Sequence, residues 1–158
     1  MNRVLVLVIG MVIGVLLGFA VIWTTMPGMM IQVDRSRLSF DETVQSIQQA
    51  AADAGWQVPK TYDLRKSLLD NNQGDIGSLR VISLCQPTHA FSILSENDNK
   101  PVAGMMPCRI GIYEADGEVY VTRLNIGLMS KMFGGSIADV MGKVSDEEHR
   151  MLSAIIAE

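Results

Sequence analysis

The chain contains two cysteines, Cys85 and Cys108, and they are its most chemically versatile residues. Cys85 closes an apolar, β-branched run and is followed by Gln86-Pro87, a pattern that opens a helix. A thiolate at such a position is stabilised by the helix dipole. His89 follows four residues later, and Met105-Met106-Pro107 leads directly into Cys108. If the two strands that carry the cysteines are neighbours, Cys85, Cys108, His89 and Met106 converge. Soft sulfur with one imidazole is a Cu(I) donor set. A reversible dithiol is a second use of the same pair. Two plainer roles stand beside these. The cysteines could form a structural disulfide in an oxidising compartment, or sit in the core as small hydrophobes. The chain has no CxxC and no HxxxH, so the spacing favours the structural roles over metal or redox chemistry.

Other catalytic patterns are missing. There is no Gly-x-Ser-x-Gly elbow, no phosphate loop and no zinc-protease helix. His149 follows Asp146-Glu147-Glu148, which reads as the solvated face of a final helix. No catalytic residue and no resident cofactor is assigned. The net charge is −4 and no basic run is present, which argues against a nucleic-acid partner.

The elements that must position these residues fall into two parts. From Val4 to Thr24 no residue is charged. As a helix this run spans about 30 Å, the hydrocarbon thickness of a bilayer. Asn2 and Arg3 precede it, and no clean small-x-small cleavage site follows, so the run reads as a retained signal-anchor over residues 1–24. Trp23 suits the far interface. Residues 25–29, with Pro27 as a breaker, read as a linker, and residues 30–158 as a soluble domain. Arg3 favours the N-terminus inside and the domain in a periplasm-like space, although Arg35 and Arg37 dilute that bias. Gly10, Gly14 and Gly18 fall on one strip of the helix, which suits close packing on a partner helix.

In the soluble part, Met30–Asp34 reads as a strand. Ser39-Phe40-Asp41-Glu42 reads as a capping box opening a helix that Gly55 ends. Residues 56–64 and 79–85 read as strands, with a helical turn over 66–70, and a short helix begins at Pro87. Arg109–Ala115 and Glu118–Leu124 alternate around Asp116-Gly117 and form a hairpin. Ile137, Val140, Met141, Val144, Met151, Leu152 and Ile155 form the stripe of a final helix, and a second capping box at Ser145–Glu148 leaves a break there open. The order is that of an α+β fold with a single, mainly antiparallel sheet. Leu128, Met129, Met132 and Phe133 lie in an apolar segment after the hairpin. Exposed, it would suit a partner surface; buried, it caps the core.

In this order, Ser39–Val44, Gly55-Trp56, Tyr62-Asp63-Leu64, Val81–Pro87 with Ala90, and Met105–Arg109 resemble the family called domain of unknown function 302. The resemblance covers the whole soluble part. It implies a compact α+β domain, often dimeric, with no agreed activity. Many members carry Asn where Gln86 stands, and Asp-Pro where Asn125-Ile126 stands. The expectation is a membrane-anchored accessory or binding module that self-associates or docks on a membrane protein complex. A thiol-redox or Cu(I)-handling protein is the rival.

Overall fold

The structure is a computed structural model and describes residues 3–157. The apolar run forms one helix, α1 (Arg3–Met30). Within Leu7–Met30 an 18-residue window has a mean hydropathy of 2.5 and is not buried against the rest of the chain, so α1 is long and apolar enough to cross a membrane. The linker expected over 25–29 is helical instead. Pro27 lies inside α1 and does not end it. The last four carbonyls of a helix need partners outside it, and here Asn125 supplies two. Its backbone N–H donates to Met30 O at 2.8 Å and its side-chain amide donates to Met29 O at 3.1 Å. The chain passes straight from α1 into β1 (Ile31–Arg35).

Five strands follow the alternation read from the sequence: β1, β2 (Gln57–Asp63), β3 (Leu79–Cys85), β4 (Cys108–Ala115) and β5 (Glu118–Leu124). They form one antiparallel sheet in the order β1-β5-β4-β3-β2. Asp116 (φ 53°) and Gly117 (φ 79°) make the β4–β5 turn, the positive angles that Asp-Gly tolerates. Ile82, Leu84, Ile110, Ile112, Val119 and Val121 are buried on one face of the sheet. Two helices cover that face. These are α2 (Phe40–Asp53), through Val44, Ile47 and Ala51, and α6 (Gly135–Leu152), through Val140, Val144 and Leu152. The opposite face carries Tyr113 stacked on Tyr120, with ring centroids 5.3 Å apart.

Glu42 reaches back to cap α2, its carboxylate accepting from both the Ser39 N–H and the Ser39 hydroxyl. Between the strands lie α3 (Leu64–Asp70), α4 (Pro87–Leu94), a 3-10 segment (Asn97–Met105) and α5 (Ile126–Ser130). The helix α6 runs unbroken past Ser145, so the option of a break there is not taken. The Ser145 hydroxyl faces Gly127 of α5 so closely that a Cβ there would sit 2.9 Å from it. The serine is a contact between helices, not a cap.

Candidate functional site

The N-terminus of α4, the end of β3, the start of β4 and the middle of α6 surround a cavity of about 480 Å³. Cys85, His89, Met106 and Cys108 all line it, so the convergence expected from the sequence is present. Met30, Met105, Met129 and Met141 add four more sulfurs to a wall that is otherwise mainly apolar. Methionine and cysteine make such a wall polarisable and adaptable in shape.

The two cysteines are free thiols. The strand register explains why. Cys108 is paired with Leu84, so Cys85 stands one residue out of step and is not its direct partner across the ladder. Burial, then the nearby Glu148 carboxyl and Cys85, push the Cys108 thiol up to about 11. Cys108 is therefore protonated at neutral pH and is a poor nucleophile.

Gln86 caps α4, its side-chain oxygen accepting from the His89 N–H at 2.9 Å. The His89 ring meets a carboxylate. Its Nε2 lies 3.0 Å from Glu147 Oε1, and Trp56 Nε1 donates to Glu147 Oε2 at 2.9 Å. Burial raises the Glu147 carboxyl, but the hydrogen bonds from His89 and Trp56 outweigh it and hold the group below its usual value.

One residue of the cavity wall is not among those the sequence singles out. Asp146-Glu147-Glu148 reads as a solvated face, yet Glu148 is 4% exposed and lines the cavity. Burial pushes its carboxyl up to about 7, against the pull of Arg123. Arg123 Nε lies 3.1 Å from Glu148 Oε1, but its N–H is not directed at that oxygen. The contact is ionic, and Oε1 accepts no hydrogen bond from any described residue. Arg123 is also paired with Asp34 through its Nη1. The available signal was spacing. Glu148 falls four residues after Val144 and four before Leu152, in the middle of the apolar stripe.

The remaining expected positions divide. Met129 is buried, and Phe133 packs on the core. Leu128 is half-buried, and Met132 is exposed. The segment thus mostly caps the core, and Met132 is its outward residue. Gly10, Gly14 and Gly18 have open space where a Cβ would lie. His149 is exposed. Among the described residues, no group of three or more His, Cys, Asp or Glu is arranged to hold a metal ion.

The family model "Domain of unknown function DUF302" matches residues 31–158. The chain belongs to this family. The crystal structure of an uncharacterized conserved DUF302 protein from Bacillus stearothermophilus is similar to it, with a TM-score of 0.71 at 15% identity. The match covers 80% of this chain and 98% of that one, and at this identity it speaks for the fold alone. No curated protein matches. The DUF302 domain thus begins at β1, directly where α1 ends, and contains the whole wall of the cavity except Met30.

Proposed function

We propose that this DUF302 chain is a membrane-anchored, non-catalytic module, its domain on the periplasmic side, that holds a small, mainly apolar molecule. The observation that supports this is the cavity itself. Its volume lies within the roughly 300–1,000 Å³ of small-molecule sites, and its wall is apolar with few polar groups. The exposed helix α1 supplies the anchor. Its glycine strip and the outward Met132 supply contacts to a second copy or to a membrane protein complex.

The test is equilibrium binding of a small apolar fluorophore to the full chain in lipid nanodiscs, measured against empty nanodiscs. The reading expects saturable binding, lost when Ala90 in the cavity wall is replaced by Trp. Fluorescence equal to that of empty nanodiscs would overturn it.

A Cu(I)-handling role keeps one observation, the shared cavity of Cys85, Cys108, His89 and Met106. It predicts that Cys108→Ser weakens anaerobic Cu(I) binding sharply. The apolar-ligand reading predicts that the same variant binds the fluorophore as wild type does.

A further inference from the structure

The cavity has a buried floor and an exposed lip, and the two differ in chemistry. Leu84, Ile93, Val102 and Val140 are buried and form an apolar floor. Gly104, Met105, Arg109 and Leu124 are the exposed members of the wall and form the lip. Arg109 is the one charged residue among them. Ile110 and Ile112 are buried in the core, so alternation along β4 sends Arg109 to the other face of the sheet. Its side chain therefore leaves the domain at the lip and does not enter the floor. The lip has a fixed place relative to α1. Leu124, the last residue of β5, is paired with Ile31, the residue that follows α1. The cavity opens beside the point where the apolar helix joins the domain.

The other charged or titratable polar side chains of the wall already have partners. Glu148 is 4% exposed, lies against Arg123, and has its Oε1 covered by the protein. The His89 ring meets Glu147. Arg109 makes no ion pair with any described residue. A guanidinium in that position presents a planar fork of donors that matches the paired oxygens of a carboxylate, sulfonate or phosphate. It repels an ammonium. A charge carried down to the floor would lose its hydration and gain no cation in return. The charged end of a ligand thus stays at the lip, and its apolar end goes in.

We infer that the cavity takes a single-chain amphiphile with an anionic head, its chain on the apolar floor and its head on Arg109. This deepens the reading of the cavity as an apolar-ligand site and rests on it. The volume of about 480 Å³ admits on the order of sixteen non-hydrogen atoms at about 30 Å³ each, enough for one short chain with its head and too few for a two-chain phospholipid. The sulfurs of Met106, Cys108, Met129 and Met141 give the wall the adaptable surface that a flexible chain needs. The lip lies where α1 would leave a bilayer, so such a molecule passes between lipid and cavity with its head kept at the interface.

Two probes of opposite charge separate the head from the chain. Decanesulfonate and decyltrimethylammonium share the same chain and the same number of non-hydrogen atoms, and neither charge titrates. Each is titrated as a competitor of the bound, uncharged fluorophore, with the full chain in phosphatidylcholine nanodiscs, and compared at equal mole fraction in the lipid. The sulfonate is expected to displace the dye at about ten-fold lower mole fraction, since one gains and the other loses at the same exposed charge. In Arg109→Glu the order of the two is expected to invert, with dye binding as in wild type. In Arg109→Gln, the milder variant, the two are expected to compete equally. Phosphatidylglycerol, anionic but with two chains, is expected to leave the dye in place. Equal displacement by the two probes in wild type would overturn the anionic head and leave the apolar cavity standing. A sulfonate advantage that survives in both variants would overturn the role of Arg109. Displacement by phosphatidylglycerol would overturn the single chain. Failure of the dye itself to bind would overturn the cavity reading instead.

Discussion

Trp56 Nε1 donates to Glu147 Oε2 at 2.9 Å, joining the residue just before β2 to the middle of α6. The other oxygen of the same carboxylate meets His89 Nε2 at 3.0 Å, so one side chain fastens α6 to both the sheet edge and α4. These are two walls of the cavity. Glu147→Ala removes both contacts and is expected to destabilise the domain by about 2 kcal/mol, read from the urea midpoint. The Glu147 carboxyl is held below its ordinary value in the folded state. Its contribution is therefore present above the unfolded carboxylate range and is lost as pH falls through the folded value. Glu147→Gln should lose that acid dependence.

Glu148 has the opposite sign. Its folded value of about 7 lies above the ordinary 4.5, so the folded state binds the proton more tightly. Its stabilising effect is full below about pH 4.5, declines as pH rises and is gone above about 7. The change is on the order of 3 kcal/mol. Arg123 and Cys108 are the charged and titratable groups coupled to it. Thermal melts of the full chain between pH 5 and 8 should show a falling midpoint, and Glu148→Gln should flatten that slope.

Cys108 should resist alkylation. With its thiol near 11, the thiolate is scarce at pH 8, and the rate should keep rising with pH through 10. Intact-mass measurement of the Cys85→Ser variant against an uncharged maleimide isolates this residue. Rapid labelling at pH 7 would contradict the burial that sets its chemistry.

Gly111 pairs with Thr122 on the face of the sheet opposite the core. A Cβ at Gly111 would lie 2.8 Å from Thr122 Cγ2, and threonine is stiff at that bond. Gly111→Ala is expected to destabilise by about 1–3 kcal/mol. Adding Thr122→Ser, which removes the clashing methyl, should restore much of the loss in a double-mutant cycle read by urea titration.

Gly14 stands in the middle of the open strip on α1. Gly14→Leu should weaken association of the full chain in membranes several-fold, measured by energy transfer between labelled copies. Fluorophore binding in the cavity should be unchanged. Undiminished transfer would place association elsewhere on the protein.

The hairpin, the strand ending at Cys85 and the helix at Pro87 were legible because each is set by local chemistry: alternation, an Asp-Gly turn, a proline at a helix start. The convergence of Cys85, Cys108, His89 and Met106 was legible once β3 and β4 were taken as neighbours. Where the sequence misled, a distant partner had changed the meaning of a local signal. Pro27 reads as a breaker, but α1 runs on to Met30, where Asn125 bonds the last two carbonyls. Ser145 should cap one, but it abuts Gly127. Glu148 looked solvated because two acidic residues precede it. Only its phase against Val144 and Leu152 shows that it turns inward.

The junction at Met30 has a mechanical meaning. A domain hung on a flexible tether swivels freely and forgets how its anchor is turned. Here the two bonds from Asn125 clamp the end of α1 to the segment that follows β5, and β1 continues from the helix without slack. Rotation or tilt of the helix is thus geared to the edge of the sheet and to the mouth of the cavity beside it. The joint behaves as a crankshaft rather than a leash.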